Sequence, residues 1–365
     1  MGDRTSDSSP RGAYLTPETL LPDHRYVTLP PIGRRHLLVS ASTRLERWRL
    51  ARLHLSAGRS LRGARRVFRR TLAASLAAWC LLSPGRKPPG HVVWHSPDLD
   101  GQLRKYCDRA TSMVVTPRSN SAHRLCGVSA GPSGSVFIKM ADGGVDLSSL
   151  RNEARMMREV GPACAPEVLF EYVGTDAGLL VVEGVNPNHS RPPLLPYTWA
   201  TELLESLPRY GESDFDSHPW VVSLFSSRPP PDVVRWGRVL ASRRWPLVVF
   251  HADFMPYHLA TRSNGEPVVI DWEYGSLAGF PGIDAGLWAV NVGARHLRVP
   301  AETISSSFVH WACQREFGGI RMTPHEARAV LALAAYFTYE ALAGTDAEAV
   351  QRVRASLWAH SDAHF

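Results

Sequence analysis

Two stretches decide the fold: Leu247-Val248-Val249-Phe250-His251-Ala252-Asp253-Phe254-Met255-Pro256-Tyr257-His258 and Val268-Val269-Ile270-Asp271-Trp272-Glu273. Each is a short run of β-branched, aliphatic or aromatic residues that ends in polar groups, the pattern of a buried strand delivering side chains at its end. The segment between them, Thr261-Arg262-Ser263-Asn264-Gly265-Glu266, contains Asn-Gly. That dipeptide accepts positive φ easily and is the strongest short hairpin signal. The turn is expected to pair Leu247–Phe250 with Val268–Ile270, so that Asp253, His258 and Asp271 converge on one cleft.

Outward from this centre, Met113–Thr116, Val136–Met140 and Leu179–Glu183 read as further strands. Leu150 to Val160 reads as a helix, with Leu150, Ala154, Met157 and Val160 on one face. Beyond residue 196 the pattern is mainly helical. The turn-rich run Ser83-Pro84-Gly85-Arg86-Lys87-Pro88-Pro89-Gly90 marks a boundary, and prolines cluster again at Pro192-Pro193 and at Pro229–Pro231. The expected class is α+β in three parts. Residues 1–90 form a basic, amphipathic helical extension, 91–186 a small β-rich lobe, and 187–365 a larger, mainly helical lobe that holds the polar loops.

Composition bounds these readings. The chain has 365 residues, 44% apolar and 21% charged, enough for about two domains with real cores and unlike a disordered chain. The five cysteines, Cys80, Cys107, Cys126, Cys164 and Cys313, are odd in number and show no CxxC, which argues against a disulfide scaffold or a zinc ribbon. No apolar run reaches the roughly 18–20 residues a bilayer span needs. The expected location is cytoplasmic. Charge is concentrated: Arg44 to Arg70 contains ten Arg against one Glu, a net +9, whereas the whole chain is +7. There Trp48, Leu50, Leu53, Leu55, Leu61, Val67 and Phe68 interleave with arginine. This segment reads either as a helical layer packed on the body with solvated arginines or as a surface for anionic lipid at the inner membrane face. Nucleic acid is the weakest reading, because there is no zinc-finger spacing and no stacking motif.

A carboxylate leaving each of two strand ends, beside a third polar side chain, suits phosphoryl transfer. One Asp orients and deprotonates an acceptor hydroxyl, and the other holds Mg²⁺ on the nucleotide phosphates. Taken singly, Asp253 could cap a helix and Asp271 could sit in a turn; the ordered set is what points to chemistry.

The set His251-Ala252-Asp253-Phe254-Met255-Pro256-Tyr257-His258, Ile270-Asp271-Trp272-Glu273 and Gly282-Ile283-Asp284 resembles the aminoglycoside phosphotransferase/choline kinase family, which has a protein-kinase-like two-lobed fold. It is similar above all to the bacterial subgroup reading H-G-D-F-x-P-W-N and D-W-E-Y, often met beside polysaccharide-biosynthesis genes. The resemblance spans roughly residues 105–340. It implies Asp253 as catalytic base, His251 as the histidine bracing its loop, and Asp271 as metal ligand. Asp284 would hold the loop backbone, and Glu273 would assist the metal or the acceptor. It also implies that Lys139 meets the nucleotide phosphates with Glu153 as its partner, and that Glu183 to Val185 form the hinge beside the adenine. The implied cofactors are ATP, or another NTP, with Mg²⁺ or Mn²⁺, and the implied partner is a small-molecule hydroxyl acceptor, a sugar or an amino alcohol.

The chain departs from that family at two places. His258 stands where the family has a metal-binding Asn, and Ala252 replaces a Gly. Imidazole suits Mg²⁺ poorly, so His258 as a metal ligand implies Mn²⁺, a single-metal mechanism or lost catalysis. No glycine-rich phosphate loop is legible: Thr116–Ser121 lacks Gly, and Gly131-Pro132-Ser133-Gly134 reads as a hairpin turn. The readings are therefore an active small-molecule kinase, a catalytically impaired nucleotide-binding scaffold linked to cell-envelope glycan synthesis, or a binding protein acting through Arg44–Arg70. Trp199, Trp220, Trp236, Trp245 and Trp288 are either acceptor-pocket walls or core, and the acidic run Glu202 to Asp216 reads as a solvated face.

Overall fold

The computed structural model describes residues 26–32, 35–40, 105–106, 112–117, 124–131, 134–142, 144–175, 177–187, 192–342 and 347–359. The arginine-rich segment Arg44–Arg70, the apolar run Leu72–Leu82, the linker Ser83–Gly90 and residues 118–121 lie outside them. The described residues are a mixture of helix and strand in two compact units. One comprises residues up to Ala154 with Pro166–Val185, the other Arg155–Ala165 with residues from Asn186 onward.

The first unit is an antiparallel sheet of β1 (Tyr26–Ile32), β2 (Arg35–Ser40), β3 (Ser112–Pro117), β4 (Arg124–Gly131), β5 (Gly134–Asp142), β6 (Val168–Val173) and β7 (Ala177–Glu183). The spatial order is β1-β2-β3-β4-β5-β7-β6. Strands β3, β5 and β7 match the runs read from sequence, and Gly131 faces Gly134 across the β4–β5 turn. Residues 26–40 were expected within a helical extension and instead form a hairpin on this sheet. Pro30 and Pro31 hid it. They are tolerated because β1 is outermost and its register shifts between Leu29 and Ile32, where no ladder donor is needed. Helix α1 (Gly144–Val160) buries Leu150, Ala154, Met157 and Val160, the face its spacing predicts.

The second unit is mainly helical: α2 (Thr198–Glu205), α3 (Pro219–Phe225), α4 (Pro231–Leu240), α5 (Ile283–Asn291), α6 (Ala301–Ala312), α7 (Pro324–Ala341) and α8 (Glu348–Ala359). Helix α7 is the hub and packs on α4, α5, α6 and α8. It starts with a capping box. Thr323 accepts from the Glu326 N–H, and the Glu326 carboxylate accepts from the Thr323 N–H at 2.8 Å. Trp220, Trp236, Trp245 and Trp288 are core, with the Trp245 and Trp288 indoles donating to the carbonyls of Leu240 and Pro193; only Trp199 is part-exposed. Glu202, Glu212, Asp214 and Asp216 are solvated, while Glu205 is half-buried. Among the described residues no helix is long and apolar enough to cross a membrane.

Short strands frame the polar loops: β8 (Asn186–Pro187), β9 (Glu212–Asp214), β10 (Arg244–Pro246), β11 (Val248–Phe250), β12 (Leu259–Thr261), β13 (Pro267–Val269) and β14 (Ser276–Gly279). The Asn264-Gly265 turn does close a hairpin, with Gly265 at φ 89°, but the strands it joins are β12 and β13. Strand β11, expected to pair with Val268–Ile270, pairs with β14. Leu259-Ala260-Thr261 has a single large apolar residue and too little periodicity to announce a strand. It forms because β13 on one side and β8 on the other complete its ladder.

Candidate active site

Strand β11 ends at Phe250, and the chain turns sharply at His251 and Ala252. Asp284, in the first turn of α5, reaches back to this turn: its carboxylate accepts the backbone N–H of His251 at 2.7 Å and that of Ala252 at 3.1 Å. Ala252 sits at φ 68°, a left-handed conformation that costs an L-residue about 1–2 kcal/mol and that glycine would adopt freely. Burial pushes the Asp284 carboxyl up to about 7, against the pull of its two N–H donors.

His251 is fully buried, and both of its ring nitrogens are committed. Nε2 lies 2.9 Å from the Ile270 carbonyl, which can only accept, so Nε2 carries the hydrogen and Nδ1 accepts the Asp253 N–H at 3.3 Å. The ring also packs on Trp272, centroids 4.6 Å apart. His251 thus ties the first loop to the end of β13 and has no nitrogen left for a reacting proton.

A short 3₁₀ turn, Pro256–His258, then brings the chain back, and the Ile270 N–H donates to the His258 carbonyl at 2.8 Å. The His258 ring bridges the two loops: Nδ1 lies 2.6 Å from the Asp253 carbonyl oxygen, and Nε2 lies 3.2 Å from Asp271 Oδ2. Burial alone would lower the His258 pKa. The hydrogen bond and charge of Asp271, with help from Asp253, outweigh burial and leave the pKa raised. Asp271 adopts φ 69°, ψ 50°, which turns its carboxylate out of the strand into the 3₁₀ turn Trp272–Tyr274. Asp is among the residues that tolerate this region best. Carboxylate oxygens of Asp271 and Glu273 come within 4.8 Å of each other. The Asp253 side chain keeps 40% of its surface exposed. Its pKa is raised by burial and by the charges of Asp271 and Glu273, with His258 and Arg295 pulling the other way. Asp253, His258, Asp271 and Glu273 therefore form one cluster, in which an accessible carboxylate stands beside two carboxylates suited to a hard divalent cation.

In the first unit, Lys139 on β5 donates to both Glu153 oxygens on α1, at 2.6 and 2.7 Å, in a buried ion pair. Glu183 ends β7; its N–H donates to the Glu167 carbonyl and its carboxylate accepts the Glu167 N–H at 3.3 Å. Val185 follows, part-buried. Sequence reading missed Arg295, whose guanidinium lowers the Asp253 pKa and which sits on the π-helical turn Val292–Leu297. Such insertions recur at functional sites, but nothing in the local sequence announces one.

No family profile and no curated protein matches the sequence. Among solved structures the chain is similar to aminoglycoside phosphotransferase APH(4)-Ia, at 12% identity over 73% of this chain and 99% of that one, with a TM-score of 0.48. It is also similar to spectinomycin phosphotransferase APH(9)-Ia in complex with ADP and spectinomycin, at 11% identity over 72% and 88%, with a TM-score of 0.39.

Proposed function

We propose that the chain is a phosphotransferase on a protein-kinase-like scaffold that moves the γ-phosphoryl group of ATP, or another NTP, to a hydroxyl of a small molecule, a sugar or an amino alcohol. The observation that supports this most is the bridge Asp253–His258–Asp271, which presents an accessible carboxylate next to a metal-suited one. In the proposed reaction the Asp253 carboxylate takes the acceptor hydroxyl proton as that oxygen bonds to the γ-phosphorus. The bond from phosphorus to the β,γ-bridging oxygen breaks, and ADP leaves. Its raised pKa makes Asp253 a better base than an ordinary carboxylate. Asp271 and Glu273, with His258, would hold a divalent cation, whose contribution is to neutralise phosphate charge. Lys139, held straight by Glu153, would meet the nucleotide phosphates, and the backbone at Glu183–Val185 would meet the base. His251 and Asp284 hold the loop.

A catalytically impaired nucleotide-binding scaffold is the second reading. What favours it is the imidazole of His258 beside Asp271, where a hard cation prefers oxygen. The test is transfer of label from [γ-³²P]ATP to a panel of sugars and amino alcohols with Mg²⁺ or Mn²⁺, alongside thermal shift. Nucleotide and metal at about 100 times their dissociation constant stabilise by about 2.7 kcal/mol, a rise of a few degrees. Metal-dependent transfer abolished in Asp253→Asn, with the thermal shift kept, is the expected result. A shift without transfer to any acceptor favours the scaffold, and no shift at all refutes both.

A further inference from the structure

We infer that a cavity at the root of the His251–Asp253 loop is a second ligand site, built for a small primary ammonium ion on a short apolar body, with Glu205 as its counter-ion. The inference concerns binding and stands apart from the phosphotransferase reading.

The cavity lies within the second unit and has an empty volume of about 530 Å³, its open mouth included. Its walls come from the last turn of α2, from β11, from the start of α5 and from the chain around Phe317. Leu204, Val248, Phe254 and Phe317 give it apolar sides. Asp253, His258, Asp271 and Glu273 do not line it. An acceptor for phosphoryl transfer has to reach the Asp253 carboxylate, so this cavity calls for a different occupant.

Its charge says which. Among the described residues that line it, Glu205 and Asp284 are acidic and none is basic. Asp284 spends its oxygens on the His251 and Ala252 N–H groups. Glu205 is in another position, because its Oε1 is buried and accepts from no donor among the described residues. Burial pushes the Glu205 carboxyl up to about 7, and the charges of Glu202 and Glu316 push the same way against Arg315. Arg315 does not cover Oε1: its guanidinium donates to the Trp311 carbonyl at 3.1 Å and lies over the Trp311 ring. A buried carboxylate oxygen without a donor is costly, and an ammonium group supplies both the hydrogen bond and the charge. A neutral alcohol brings the donor without the charge, and a guanidinium brings five donors to one bare oxygen. The apolar sides take up the carbon body. The competing account is a protonated Glu205 beside a cavity that holds water alone.

An occupant would rest on Phe254, next to Asp253 in the chain, and beside Asp284, which accepts the loop's N–H groups. Binding should therefore steady the loop.

Calorimetric titration of the full chain with n-butylammonium, at about pH 8 so that Glu205 is ionised, tests this. n-Butanol and butyrate carry a similar body with no charge and with the opposite charge. Butylammonium should bind, and both of the others should bind about tenfold more weakly or worse. This comparison needs no variant. Glu205→Gln should lose about tenfold or more in affinity for butylammonium. Glu202→Gln, exposed on the same helix and outside the cavity, should stay within about twofold of wild type. With butylammonium bound, the His251 and Ala252 amides should exchange with solvent more slowly. Equal binding of butylammonium and butanol, undiminished binding by Glu205→Gln, or no binding of butylammonium overturns the site. Binding without slower exchange overturns its coupling to the loop.

Discussion

Replacing Asp284 by Asn removes the brace at the root of the His251–Asp253 loop with almost no change of shape. The carboxylate accepts two buried N–H groups, at 2.7 and 3.1 Å, and the amide has only one oxygen to offer them. Its NH₂ must face the other N–H, donor against donor. A buried N–H without an acceptor costs about 1–3 kcal/mol. If Ala252 loses its partner, nothing offsets the left-handed strain at φ 68°. The variant should therefore be about 2–3 kcal/mol less stable at neutral pH, read as a lower urea midpoint with an unchanged m value. The pH dependence gives a second readout. The folded pKa of Asp284 is about 7 against an ordinary 3.8, so the folded chain holds a proton that the unfolded chain has released between those values. The stability it contributes is fullest below the unfolded pKa and is lost as pH rises through the folded one. Because Asn does not titrate, the gap between wild type and variant should narrow from about pH 4 to pH 7 and then stay flat. A variant within about 0.5 kcal/mol of wild type, or a gap that widens with pH, would refute this account of the loop.

Three further outcomes are expected. Asn291→Leu takes the Oδ1 acceptor, 2.8 Å away, from the fully buried Arg354 guanidinium that fastens α8 to α5; it should cost about 1.5–3 kcal/mol in chemical denaturation, and a loss under about 0.5 kcal/mol would contradict the pairing. Gly279→Ala places a Cβ into the side chain of Phe250 across the β11–β14 pair, so the melting temperature should drop by several degrees, as overpacking of about 1–3 kcal/mol implies; an unchanged value would mean that the pair is looser than described. In a transfer assay the acid limb of the rate profile should lie above the ordinary carboxylate value of 3.8, because Asp253 must lose its proton from a raised pKa. Arg295→Leu should move that limb higher still, and a limb at or below 3.8 would remove Asp253 as the base.

How much of this was legible in the sequence varies with the range of the interaction. Strands β3, β5 and β7, the buried face of α1 and the Asn264-Gly265 turn could be read because each depends on a few neighbouring residues. The hairpin at residues 26–40 could not, since its proline pair argues against a strand until the sheet edge is known. The four core tryptophans posed the same difficulty: side-chain chemistry permits a pocket wall or a core, and only packing chooses.

By itself the sequence determined which side chains could do chemistry and in what order they come: Asp253, His258, Asp271 and Glu273 around a turn signal, with Lys139 on a strand and Glu153 on the helix that follows. Local propensity and residue chemistry are enough for that. Tertiary structure alone decided that β11 pairs with β14, that Asp284, 33 residues from His251, holds the loop, and that the His258 ring spans from the Asp253 carbonyl to Asp271. The reason is physical. A buried donor or acceptor must find a partner wherever packing has left one, and that choice is made across the whole unit, out of reach of any local stretch of sequence.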